Sequence, residues 1–399
     1  WDRRKGAAGS DSVVTSVVER IQAAAKSLRL EGDVVCFGSH ANTLCNATSD
    51  CDVTFLPRQE EVWGEQALHI LKRLAHELPK HGFKSIVQIF QASIPLIKAI
   101  DPGGVEVDLC IGNYLGIYNS RLVAAYCQLD GRVGEVCRLV KQWARAEELG
   151  SSSDGHLNSY AYTLLAIYYL MSCSPPVLLN LQDLASGSGS SVTVVDRKWG
   201  QKMTWECKFW EELELLPKSQ NTDSEETLLK GFFRFYTEEF DWSTRAVSVR
   251  LAMTSKKGIP KSNPASPNDG WHIEDPFDLR HNLASNCTKE GRQRILKHMA
   301  DALRMLQKSG LDALRSHCSK KPARYMLKCR VHLEKVSLED FKSTIGSANL
   351  KEPFELLFPA NRREVADAFV IFKNKESQRR VHELNERAIG EWQLRLMPT

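Results

Sequence analysis

Apolar positions along the chain change period several times, and the changes mark out its elements. Between Val13 and Leu30 the residues Val14, Val17, Val18, Ile21, Ala25 and Leu28 recur at helical spacing, and Gly32 closes the segment. Two short alternating runs, near 33–37 and 51–56, read as strands, and residues 62–78 return to helical spacing before Pro79 and Gly82. Lys84–Phe90 and Ile94–Ile100 read as further strands. The turn Asp101-Pro102-Gly103-Gly104 then leads into the apolar run Val105–Ile111. This is the pattern of a small mixed sheet with helices against it, ending near residue 115.

Helical spacing then dominates, at Leu122–Leu129, Val133–Leu149 and Leu157–Met171, and again at Glu225–Phe240 and Arg292–Gly310. Gly187–Ser191 reads as a flexible loop, and Thr254–Asn268, with three lysines and three prolines, as a surface loop. Past residue 319 the order becomes strand 324–333, helix 337–348, strand 354–358, strand 364–373, helix 375–385, strand 392–397. That βαββαβ order is the ferredoxin-like split fold used by RNA recognition motifs. The fold class is α+β: a mixed-sheet domain over 31–118, a helical domain from 1–30 and 119–318, and an RRM-like, ferredoxin-like module over 319–399.

Candidate chemistry sits on the first strands. The run Val34-Val35-Cys36-Phe37-Gly38-Ser39 reads as a strand ending in a tight Gly-Ser turn, followed by Asp50-Cys51-Asp52-Val53-Thr54-Phe55. Alternation puts Asp50 and Asp52 on one face, with Cys51, Val53 and Phe55 on the other. Asp108, in the last strand of the sheet, is the third acid. Most Asp-x-Asp pairs are merely solvated, but two carboxylates on one face repel, and sharing divalent cations relieves that repulsion. Gly38-Ser39 adds a close-approach backbone and a hydroxyl at the start of a short helix. Three strand-borne aspartates beside such a turn make a two-metal nucleotidyl-transfer site.

Composition narrows the setting only a little. The chain has 399 residues, 42% of them hydrophobic, which is ample for several cores, and its formal charge of +4 permits nucleic-acid binding without requiring it. Eleven scattered cysteines without zinc-type spacing read as reduced, mostly buried thiols. The apolar stretch Tyr160–Cys173 is too short to span a bilayer, so no membrane partner is expected. Trp1 in place of an initiating Met fits a trimmed or a processed chain, from which any targeting segment would already have been removed.

Gly38-Ser39 with Ser49-Asp50-Cys51-Asp52, together with Asp108, resembles the signature of the DNA polymerase beta-like nucleotidyltransferases. The segment from Leu228 to Tyr236 with Phe240-Asp241-Trp242 resembles a PAP-associated segment, and Ile273–Asp278 with His281-Asn282 resembles a base-recognition loop. Within that superfamily the chain looks most like the terminal uridylyltransferases of trypanosomatids, close to their poly(A)-polymerase relatives. The resemblance implies a polymerase beta-like palm and two Mg²⁺ ions, replaceable by Mn²⁺, on Asp50, Asp52 and Asp108. It implies UTP and an RNA 3′ end as substrates, and RNA processing or editing in the mitochondrion, in a multiprotein complex. The cytosol is the alternative location.

The same resemblance assigns Gly38, Ser39, Ser49, Ser159, Lys141 and Arg145 to the triphosphate, although spacing alone would make Lys141 and Arg145 a solvated helix face. It assigns Tyr160 to stacking on uracil, Asn119 and Ser120 to the ribose 2′ hydroxyl and the uracil edge, Asp275 and Asp278 to N3, and His281 to O4. Carboxylates suit uracil because its N3–H donates where the adenine ring nitrogen accepts. Three departures stand out. Asp278 replaces a longer Glu, and Ala92-Ser93-Ile94-Pro95 lacks the arginine of many relatives. The C-terminal module has Val365-Ala366-Asp367 where a basic residue, Gly and a stacking aromatic belong. Its open face, with Val365, Asp367, Phe369 and Ile371, is then apolar with one aromatic, suited to docking on protein, with direct RNA binding as the alternative. Two other activities stay open: ATP-dependent poly(A) addition, and a catalytically inactive RNA-binding scaffold.

Overall fold

Strand pairing decides which residues of the first sheet meet the core. The computed structural model describes residues 11–46, 49–58, 62, 64–90, 94–185, 190–195, 202–252, 270–319, 325–331, 343, 345, 355–357, 366–372, 388–389, 392–393 and 395–397. The strands β1 (Gly32–Phe37), β2 (Cys51–Pro57), β3 (Lys84–Ile89), β4 (Leu96–Ile100) and β5 (Glu106–Ile111) run in the order β1-β2-β5-β4-β3. β1 and β2 are antiparallel, ending on Phe37↔Asp52, while β2 and β5 are parallel, from Cys51↔Val107 to Phe55↔Ile111. Cys51, Val53, Phe55, Val107, Leu109 and Ile111 are all buried. Their alternates Asp52 and Asp108 therefore stand side by side on the other face.

The chain divides into two compact units, residues 1–84 with 99–320 and residues 85–98 with 321–399. In the first, α1 (Asp11–Ser27) buries Val17, Ile21, Ala24 and Ala25. Its Gln22 side chain clamps β1, donating to Gly32 O at 2.9 Å and accepting from Val34 N at 2.8 Å. After the short α2 (Gly38–Ala41) and α3 (Gly64–Glu77), the helical part opens with α4 (Tyr114–Leu129). α4 begins well before the apolar period at Leu122, because the side chain of Asn113 caps it by accepting from Gly116 N. Asp130, Asn158 and Asn180 cap α5 (Gly131–Ala146), α6 (Ser159–Ser172) and the short α7 (Leu181–Leu184) in the same manner.

α8 (Glu225–Arg234), capped by Ser224, runs into one π-helical turn at Phe235–Glu239. Around it lies the main aromatic core, with buried Trp143 edge-on to Phe233 at 5.0 Å and to Tyr162 at 6.0 Å. Gly231 lets α8 lie directly on α6: a Cβ there would sit 1.8 Å from the Tyr169 hydroxyl. At the end of this unit, α9 (Lys289–Ser319) continues past the stop expected at Gly310, which forms a kink at φ 74° and ψ −175°. The carboxylate of Glu147, just after α5, takes a 2.5 Å hydrogen bond from His298 before that kink and another from His317 after it.

The loop expected at 187–191 needs correcting in part. Ser190 and Ser191 begin β6 (Ser190–Val195), which pairs with β7 (Lys202–Cys207) as an antiparallel hairpin. The Gly/Ser-rich lead-in hid a period-two pattern that starts inside it. The rest of that loop, the 254–268 loop and Ala92-Ser93 lie outside the described residues, as do the helices expected at 337–348 and 375–385, apart from the isolated positions 343 and 345. Ten free cysteines lie among the described residues, and no helix there is long and apolar enough to cross a membrane.

In the second unit, β8 (Tyr325–Val331), β9 (Glu355–Leu357), β10 (Ala366–Phe372) and β13 (Arg395–Met397) form a sheet of order β13-β8-β10-β9. A separate pair joins β11 (Ala388–Ile389) to β12 (Trp392–Gln393). Register sets Phe369 opposite Lys328 and Leu357, Asp367 opposite Arg330, and Arg330 opposite Arg395.

Candidate active site

The Gly-Ser turn is shaped by what lies against it. Gly38 has φ +69°, and a Cβ there would fall 2.2 Å from Asp52 Oδ2, so only glycine lets the turn approach the carboxylate this closely. Asp50 and Ser49 precede β2 in a loop held internally: Ser49 Oγ accepts from Asn46 N at 2.9 Å, and the His40 ring bonds Ser49 O at 3.2 Å. His40 was missed by sequence reading, since nothing local signals that bond. Asp50, Asp52 and Asp108 are half-buried, Asp52 and Asp108 as direct cross-strand neighbours. Among the described residues no ready-made ring of three or more Asp, Glu, His or Cys ligands exists. A cation here would be shared between carboxylates, water and phosphate oxygens, the manner in which Mg²⁺ is usually held, so the residues present fit it.

α5 supplies cations beside this turn. Lys141 Nζ bonds Leu44 O at 3.2 Å, and Arg138 Nη1 bonds Thr43 O at 3.0 Å, both in the segment after α2. Burial holds the Lys141 amine below the ordinary lysine range. Arg145 lies one turn further on, exposed, and Ser159 is exposed at the first position of α6.

A second cluster forms around Asp275. That carboxylate is 4% exposed. Its Oδ1 accepts from Phe277 N and Asp278 N, both at 3.0 Å, and its Oδ2 accepts from Asn119 Nδ2 at 3.1 Å. Burial raises its pKa, and burial likewise pushes up that of the neighbouring Tyr160. Asn119 Oδ1 and Tyr160 Oη are buried without a hydrogen-bond partner among the described residues. Asn282 braces the loop from beneath, accepting from Ile273 N and Ala284 N and donating to Trp271 O. Buried Glu274, bonded by Ser248 at 2.5 Å and Arg250 at 2.9 Å, anchors its other side.

Two residues expected at the nucleotide also make bonds within the protein. Asp275 helps to set the loop, and half-buried Asp278 and exposed His281 are the more accessible groups for a base edge. Ser120 is 5% exposed, and its hydroxyl accepts from Gly38 N at 2.7 Å while donating to Gly116 O at 2.6 Å. Its only proton is thus spent inside the protein, so it has no O–H to donate to a nucleotide oxygen.

Comparison with known proteins bears on the same two clusters. Residues 10–128 match the model of the mitochondrial-like poly(A) RNA polymerase central palm domain, and residues 227–281 match that of the Cid1 family poly A polymerases. Terminal uridylyltransferase cid1 of Schizosaccharomyces pombe is 29% identical over 310 residues, covering 73% of each chain. Both matched segments and this relative make the chain similar to the Cid1 group of nucleotidyltransferases. Human terminal uridylyltransferase 7 is 33% identical over 280 residues, 67% of this chain. The chain spans only 18% of that relative's length. A solved structure of the family, Cid1 in complex with the UTP analog UMPNPP, superposes with a TM-score of 0.64 at 28% identity, covering 78% of this chain and 93% of the other. The Gly-Ser turn and the aspartates fall within the first matched segment, and Asp275, Asp278 and His281 within the second.

Proposed function

We propose that this chain transfers UMP from UTP to the 3′ hydroxyl of RNA. The observation that carries this is the loop set by Asp275, which leaves Asp278 half-buried and His281 exposed beside Tyr160 and Asn119. Asp278 accepts from uracil N3–H, and a His281 ring N–H donates to O4. Adenine would set its ring nitrogen acceptor against the carboxylate. Tyr160 offers a ring to the base. Lys141, Arg145 and the hydroxyls of Ser39, Ser49 and Ser159 receive the triphosphate.

The 3′ oxygen forms a bond to the α-phosphorus as the bond to the bridging oxygen of the β-phosphate breaks, and pyrophosphate leaves. Asp108 orients the hydroxyl and takes its proton. Asp50, Asp52 and Asp108 would hold two divalent cations, Mg²⁺ with Mn²⁺ as substitute, which supply charge neutralisation and a more acidic hydroxyl. A primer-extension assay with the four NTPs tests the reading. UTP should be the preferred donor, Asp52→Asn should abolish extension, and His281→Asn should move preference towards ATP. Equal use of ATP by the wild type favours poly(A) addition, the activity in the descriptions of both matched family models. Intact RNA binding without turnover favours a scaffold.

Beyond the reaction, we place the chain with the trypanosomatid enzymes that act in mitochondrial RNA editing, in a multiprotein complex. Organelle fractionation against a cytosolic marker tests the location. The ferredoxin-like reading of residues 319–399 is supported by the strand order of the second unit, in which the first and third strands are central. Ultraviolet cross-linking of full-length protein to labelled RNA, mapped by mass spectrometry, distinguishes an RNA-binding sheet from a protein-docking one.

A further inference from the structure

Asn119 and Ser120 are consecutive residues of α4, and consecutive helix positions point about 100° apart, so they serve different neighbours. Asn119 holds Asp275 of the base loop at 3.1 Å. Ser120 accepts the Gly38 amide at 2.7 Å, and Gly38 in turn lies directly against the Asp52 carboxylate. α4 is also pinned to the strand that carries Asp52: Gly112 N bonds Phe55 O at 2.9 Å, and Asn113 N bonds the buried Thr54 hydroxyl at 3.0 Å. One helix therefore touches the acid-bearing strand, the Gly-Ser turn and the base loop. The Asn119 Oδ1 atom, buried without a partner among the described residues, adds a place on the same helix where an incoming donor would register.

We infer that Ser120 is a positioning residue for the catalytic turn, through which α4 joins the base loop to the Gly38–Asp52 contact. The inference rests on the nucleotidyl transfer proposed above. It gives Ser120 a job distinct from contact with the nucleotide, because its one proton goes to Gly116 O while the hydroxyl oxygen holds the Gly38 amide. Removing that hydroxyl leaves the Gly38 amide unheld and the turn free to shift against Asp52. The loss then falls on the chemical step and not on binding, and it falls equally on a right and a wrong base.

The test compares wild type with Ser120→Ala, Ser120→Cys and Ser120→Thr by single-turnover extension with UTP and ATP. Equilibrium dialysis of UTP is run alongside with Ca²⁺ in place of Mg²⁺. Ser120→Ala should slow the chemical step about 10- to 100-fold for both nucleotides, the scale of a small misplacement of reacting groups, with UTP binding within about twofold of wild type. Ser120→Thr, which keeps the hydroxyl, should recover most of the rate, and Ser120→Cys should fall between. A variant that weakens UTP binding or changes the UTP-to-ATP ratio at an unchanged rate makes Ser120 a base-reading residue and overturns the proposal, as does no effect at all.

Hydrogen exchange of residues 37–42 supplies a readout without turnover. Loss of the Ser120 acceptor should speed exchange of the Gly38 amide about tenfold relative to wild type and to Ser120→Thr. Unchanged exchange overturns the inference even in an active enzyme. An inactive wild type with faster exchange in Ser120→Ala would instead sink the proposed reaction and leave the Ser120–Gly38 link standing. Should Ser120→Ala fail to fold, the Cys and Thr variants carry the same comparison.

Discussion

Gly38 answers to two demands at once, its left-handed φ and the Asp52 carboxylate 2.2 Å from where a Cβ would be. Gly38→Ala should therefore cost more activity than stability. We expect extension to fall at least about 100-fold, because the carboxylate must move, while the melting temperature drops by a few degrees. Lys141 makes a pH-dependent counterpart. Its ammonium form is the one that holds phosphate, and burial depresses its pKa, so the alkaline limb of kcat/KM should set in below the pH at which an ordinary lysine titrates. Lys141→Arg should move that limb upwards, which a pH profile of kcat/KM checks. A limb unaffected by the substitution would assign it elsewhere.

The facing of Asp52 could be read from sequence because alternation needs only neighbouring residues: a buried Cys51 and Val53 already send it the other way, while Asp50 lies just before the strand. The role of Ser120 could not, since its partner Gly38 is 82 positions away and no local pattern encodes that bond. Asp275 illustrates a third case. Its membership of the loop was legible, but its three accepted hydrogen bonds depend on the loop's closure and on Asn119, 156 positions earlier.

Elements with a strong helical or alternating period, β1 to β4 among them, were placed within a few residues, and those governed by caps or opened by a Gly/Ser run were not. α4 starts early because Asn113 caps it, and β6–β7 went unseen because its first residues are serines. The contact of α8 with α6 is the element-scale feature most exposed to mutation. Gly231→Ala pushes a methyl group into the buried Tyr169, and overpacking of this kind costs about 1–3 kcal/mol. Chemical denaturation should register that loss as a lower midpoint with little change in slope, since the surface exposed on unfolding stays the same.

For the whole molecule, sequence pattern puts a change of character near residue 319, and the second compact unit comprises residues 85–98 and 321–399. It held no sign that residues 85–98 group with that unit, because strand propensity says nothing about which body a strand packs on. Within the first unit, Glu147 gathers parts that are distant in sequence. Its one carboxylate takes His298 from before the Gly310 kink and His317 from after it, while its own backbone oxygen takes Arg294 at 3.1 Å. The two stretches of α9 should consequently open as a single cooperative unit, and amides near 298 and near 317 should exchange with similar protection. Glu147→Gln should split that shared opening in two, with the short stretch after the kink fraying first.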